Sequence, residues 1–136
     1  MLLLIRFVRP FAKYILIIWL LTIIVVSSIP SLPTLKIHTA KSEIRLDYLI
    51  HFCEYGFLAF MAFLSTADDR FIISLKKYFW ITISLIVFAV LDEFHQKLIP
   101  GRTFNVKDIM SNVAGIIGAL VFCLIVFRVI KGQNKS

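Results

Sequence analysis

The chain is expected to be all-α: a polytopic membrane protein folded as a bundle of four transmembrane helices with short loops. Three observations predict this. Hydrophobic residues fill 60% of the 136 positions and charged residues only 17%, with a mean hydropathy of +0.90, a balance far from that of soluble domains. Four apolar runs, about 11–29, 48–66, 78–98 and 109–129, each approach the roughly 20 residues that a helix needs to cross the hydrocarbon core. What remains between them is too short for a soluble domain, so residues 1–136 are expected to form one transmembrane unit.

In chain order, Arg6, Arg9 and Lys13 precede the first apolar run, which ends at Ser27-Ser28. A basic start, an apolar stretch and small residues also describe a secretory signal. This run is longer than an ordinary signal core and lacks an A-x-A-like site before Pro30, so an uncleaved signal anchor is expected. Ser31 to Asp47 carries mixed charges without a pattern. It reads as a connecting loop, with a short interfacial helix through Ile37, Ile44 and Leu46 as the alternative. Asp68-Asp69-Arg70 and Lys76-Lys77 read as a solvated loop between the second and third runs, and 131–136 as a short polar tail. Gly115 and Gly118, with Ala114 and Ala119, form a small-residue face suited to close helix packing within the bundle rather than to homodimerisation. Cys53 and Cys123 lie inside apolar segments near opposite ends of the bundle and are expected to be buried and unpaired. Trp19, Trp80, Tyr14 and Tyr78 are candidates for anchoring at the membrane interfaces.

Polar chemistry concentrates where the third and fourth runs meet. Asp92, His95 and Gln96 stand at i, i+3 and i+4, and Asp108, Ser111, Asn112 and Gly115 at i, i+3, i+4 and i+7, so each set shares a helical face. Pro100-Gly101 cannot continue a helix and turns the two faces back to one side. In the second run His51, Glu54 and Tyr55 repeat the i, i+3, i+4 spacing. If that run enters from the same side, residues from three crossings converge at one depth. Ionisable groups there must face one another, water or a ligand, because hydrocarbon cannot hydrate them.

The same residues carry a resemblance. Asp92-Glu93-Phe94-His95-Gln96, then Pro100-Gly101-Arg102, then Asp108 with Asn112, Gly115 and Gly118 follow the pattern D-E-x-H-Q, P-G-R, D-x-x-x-N-x-x-G-x-x-G of the VanZ-like family of bacterial membrane proteins, and His51 with Tyr55 matches a second element of it. A basic residue often stands three positions before that His in the family, where this chain has Tyr48. The resemblance covers about the last two thirds of the chain. It implies a bacterial cytoplasmic-membrane protein of the cell envelope related to one that gives resistance to the glycopeptide teicoplanin.

Orientation is read from Lys and Arg. A cytoplasmic N-terminus places nine inside (Arg6, Arg9, Lys13, Arg70, Lys76, Lys77, Arg128, Lys131 and Lys135) and six outside (Lys36, Lys41, Arg45, Lys97, Arg102 and Lys107). Both termini are then cytoplasmic, and the polar cluster opens to the extracytoplasmic face.

The cluster supports two readings of different class. In one, it is the site of an enzyme or binding protein acting on a lipid or a lipid-linked envelope precursor. His51, Glu54, Asp92, Glu93 and His95 are then the catalytic candidates, since carboxylates and imidazoles in a desolvated site trade protons. Arg102 would hold a phosphate or carboxylate, with Gln96, Tyr55, Asp108 and Asn112 as further binding groups. The His–carboxylate mixture also suits a divalent metal such as zinc or manganese, although no H-x-x-x-H or H-E-x-x-H spacing is present. In the other reading the groups only satisfy each other, Arg102 with Asp108 or Glu93, His95 with Asp92, Asn112 with backbone or Gln96, and the protein acts through a partner. A transporter fits less well, because four helices without inverted repeats leave little room for alternating access. The sequence holds no P-loop, no Rossmann glycine string, no nucleophile elbow and no zinc-finger spacing. The net charge of +7 is spread over loops without an aromatic-interleaved patch, which points to anionic membrane lipids as partners and not to nucleic acid.

Overall fold

In the computed structural model, residues 2–31, 36–38 and 43–133 are described. Helix α1 (Leu2–Val8) runs through a 3-10 turn at Arg9–Phe11 into α2 (Ala12–Ser27), and together they make the first span. The helix therefore begins at Leu2 and not near Phe11. Pro10 lies at the start of the tight turn, where a missing N–H is least costly, so the basic start of the chain stays helical. The remaining spans are α3 (Asp47–Thr66), α4 (Leu75–Lys97) and α5 (Val106–Gln133). With Leu3–Ser27 these are four helices long and apolar enough to cross a membrane. Ser74 caps α4 by accepting from the Lys77 N–H at 3.3 Å. Beyond α4 the chain reverses at Pro100-Gly101, and Gly101 takes a φ of +77°, a conformation open to glycine at little cost.

The Ser31–Asp47 connection holds two three-residue strands, β1 (Lys36–His38) and β2 (Glu43–Arg45), paired antiparallel with Ile37 opposite Ile44. A short interfacial helix is thus not what these residues form. Residues 32–35, 39–42 and 134–136, including Pro33, Lys41 and Lys135, lie outside the described residues.

Helix α3 is central. Its Tyr55, Leu58, Ala59, Phe63 and Leu64 are fully buried; α5, whose Ile116, Cys123 and Ile130 are also buried, is its main neighbour, and α2 and α4 flank the pair. The two central helices approach so closely because glycines face each other: a Cβ on Gly115 would overlap the Phe52 carbonyl oxygen and lie 2.9 Å from Gly56 N. Outward, Ile17 and Leu21 of α2, Trp80, Val87 and Leu91 of α4 and Val121, Ile125 and Val129 of α5 are exposed. Such a surface suits lipid, where apolar contact costs nothing. Cys53 belongs to it, so of the two cysteines only Cys123 is buried; both are free thiols.

The two ends of the bundle are tied differently. At one, Arg9 donates to the Ala67 carbonyl (2.8 Å) and to Asp69 Oδ1 (2.7 Å), with its guanidinium 5.6 Å from the centre of the Phe71 ring, which packs in turn on Phe127 of α5. This places the N-terminal segment, the α3–α4 connection and the later part of α5 together. At the opposite end, the Ser31 N–H donates to the Pro100 carbonyl (3.1 Å). Two of the residues expected as interface anchors make contacts inside the bundle, Tyr78 buried and Trp19 half-buried. Tyr78 is buried 5.2 Å from the Phe63 ring, and Trp19 donates from its indole to the Glu54 carbonyl at 3.0 Å while meeting Phe57 edge-on. Trp19→Phe should keep the ring contact and lose only the hydrogen bond, costing about 0.5–1.5 kcal/mol in reversible unfolding in detergent micelles.

Candidate functional site

The polar residues gather at the end where α2 and α4 finish and α3 and α5 begin. Helical spacing places His51, Glu54 and Tyr55 on the inward side of α3's first turns. Asp92, Glu93, His95 and Gln96 lie in the last turns of α4, and Asp108 and Asn112 in the first turns of α5. Asp92, Glu93, Gln96, Asp108 and Asn112 are all buried, Glu93 and Asn112 completely. Polar groups at that depth require partners.

Part of the cluster has them, across helices. The Tyr55 hydroxyl donates to Asp92 Oδ2 at 2.9 Å, joining α3 to α4, and the Gln96 amide donates within α4 to the same oxygen at 3.1 Å. His51 Nδ1 lies 3.1 Å from Asn112 Oδ1, and its Nε2 lies 3.8 Å from Asp108 Oδ2, joining α3 to α5. The first distance has the imidazole Nδ1–H donating to the amide oxygen.

Asn105, absent from the sequence expectations, organises the α4–α5 connection. Its N–H donates to Glu93 Oε1 (2.7 Å), its amide to Asp108 Oδ1 (3.1 Å), and its side-chain oxygen accepts from the Lys107 N–H (3.1 Å). An Asn directly before a helix with a carboxylate three positions on is a capping signature, and that signal was available in the sequence.

Other groups are left over. Glu93 Oε2, Arg102 Nε and Asn112 Nδ2 are buried without a hydrogen-bond partner among the described residues. Arg102 forms no ion pair within 4 Å there, although Glu54 and Glu93 both lie within its electrostatic reach. Glu54 is half-buried and its carboxylate has no hydrogen bond among the described residues, as is also true of the half-buried His95. The self-satisfying pairs expected from the sequence are therefore not the ones formed. Asp92 pairs with Tyr55 and Gln96 and not with His95; Asn112 pairs with His51 and not with Gln96; Arg102 pairs with neither Asp108 nor Glu93. Among the described residues no three His, Cys, Asp or Glu side chains converge in a way that would hold a metal ion.

Fold and cluster together define the class of protein: a four-span membrane protein with a polar centre built by three of its helices at one end. The family follows from the chain itself. A family model described as VanZ/LLP1 matches residues 2–128, and the chain belongs to this family. The match takes in the first span, beyond the last two thirds over which the motifs run. No curated protein and no solved structure matches the chain.

Proposed function

We propose that this VanZ-like protein binds the headgroup of a lipid or lipid-linked cell-envelope molecule in its polar cluster, on the extracytoplasmic side of the bacterial cytoplasmic membrane, and thereby bears on the response to glycopeptides such as teicoplanin. The orientation is supported by the excess of Lys and Arg at the end that holds Arg9, Arg70 and Lys76, which favours cytoplasmic termini. One observation carries the reading: among the described residues Arg102, Glu93 and Asn112 each keep a buried polar atom unpaired at the same end of the bundle, a cost that a bound headgroup would offset. Arg102 is the anion-holding group, as guanidinium geometry suits phosphate. Of the proton-trading candidates, Glu54, Glu93 and His95 have free valence among the described residues, whereas Asp92 and His51 are engaged in holding helices together. Those same cross-links favour the second reading, a cluster that only locks the bundle of a protein acting through a partner.

The test separates the two. Purified in mild detergent, the wild type should retain envelope lipid detectable by mass spectrometry. Arg102→Gln should lose at least tenfold of it at unchanged melting temperature, and should lose in parallel any teicoplanin tolerance conferred by expression. Equal lipid retention by Arg102→Gln overturns the binding reading, and so does a variant that loses its fold together with its lipid.

A further inference from the structure

We infer that the headgroup this site selects is one joining a phosphate to a primary ammonium, as in a phosphoethanolamine lipid. The inference rests on the headgroup-binding reading above and adds the ligand's charge pattern. Among the described residues four carboxylates, Glu54, Asp92, Glu93 and Asp108, share the cluster with one permanent cation, Arg102, and with two imidazoles, His51 and His95. Two of those carboxylates have protein donors: Asp92 takes both the Tyr55 hydroxyl and the Gln96 amide on one oxygen, and Asp108 takes the Asn105 amide with His51 nearby. Two do not. Among the described residues Glu54 has no side-chain donor, and fully buried Glu93 spends only Oε1, on the Asn105 N–H, leaving Oε2 unmet within electrostatic reach of Asp92, Asp108 and Arg102. On the other side of the balance stand two donors without acceptors, Arg102 Nε and Asn112 Nδ2.

The unmet valences are thus of both kinds. A purely anionic headgroup drawn to Arg102 would satisfy the donors while standing beside two carboxylates that repel it. A phosphate with an attached ammonium satisfies both: its oxygens accept from Arg102 Nε and Asn112 Nδ2, and its N–H groups donate to Glu93 Oε2 and Glu54. A quaternary ammonium carries the same charge but has no N–H, so it would leave the Glu93 oxygen unpaired. On this charge pattern the site should favour primary over quaternary amines and zwitterions over anions.

The experiment is native mass spectrometry of the full chain released from nanodiscs containing equal fractions of phosphatidylethanolamine, phosphatidylcholine and phosphatidylglycerol. The wild type should retain phosphatidylethanolamine at least tenfold over either competitor. Glu93→Gln and Glu54→Gln should each reduce that preference severalfold; Glu54 has no side-chain hydrogen bond among the described residues, so its variant tests selectivity with the least change to the fold. Arg102→Gln should reduce retention of every phospholipid. Retention of phosphatidylglycerol or phosphatidylcholine equal to that of phosphatidylethanolamine, or a preference unaltered in both Gln variants, overturns the inference. In that event Arg102-dependent retention leaves headgroup binding standing, and Arg102-independent retention of all three removes both.

Discussion

Gly115→Ala should destabilise the bundle by about 1–2 kcal/mol or more, while Gly118→Ala three residues away should be neutral to stabilising by up to about 1 kcal/mol. In a helix, Gly→Ala alone gains roughly 1 kcal/mol from backbone preference. At Gly115 the new methyl would overlap the Phe52 carbonyl and press on Gly56 N, both backbone atoms of α3 that cannot swing aside. The helices must separate, and overpacking of this kind costs about 1–3 kcal/mol locally; loosened packing along the rest of the α3–α5 seam adds to that. At Gly118 the methyl meets only the tip of the Phe52 ring at 3.6 Å, an ordinary contact on an exposed face. Reversible unfolding in bicelles measures both. A stable Gly115→Ala protein would mean that α3 and α5 do not cross as described.

The second large effect belongs to Asp92. Asp92→Ala should cost about 2–4 kcal/mol and Asp92→Asn less than about 1. Alanine leaves two buried donors, the Tyr55 hydroxyl and the Gln96 amide, without an acceptor, each worth about 1–3 kcal/mol. Both donate to the same oxygen, and a single amide oxygen has two lone pairs, so asparagine can serve both. Tyr55→Phe combined with Asp92→Ala should then cost less than the sum of the two separate changes, because the orphaned hydroxyl is gone. Strict additivity in that cycle would rule out the Tyr55–Asp92 bond.

The number of spans was legible in the chain because apolar runs of membrane length have few other uses. The error at the first span, begun at Phe11 instead of Leu2, arose from taking Arg6, Arg9 and Pro10 as a flanking segment; long basic side chains can ride on a helix and reach back to polar neighbours, and Pro10 needs only one tight turn. Periodicity also put His51 with Tyr55, and Asp92 with His95 and Gln96, on common faces. What periodicity does not contain is the axial offset and rotation between helices. That offset decides that Tyr55 and not His95 meets Asp92, and that His51 and not Gln96 meets Asn112. Asn105 was overlooked because it stands outside both apolar runs, although its position before α5 and three residues ahead of Asp108 marks it as a cap.

The Arg9 contacts bear on how the molecule is made. Its partners at Ala67 and Asp69 lie 58 and 60 residues further along, so they do not yet exist when the first crossing leaves the ribosome. That crossing must enter the bilayer alone on hydropathy and flanking charge, and it finds its berth only after the second has followed. Assembly of this protein is accordingly a docking of already inserted helices, with the Arg9 guanidinium closing the join at one end and the Trp19 indole bonding to the second crossing further along.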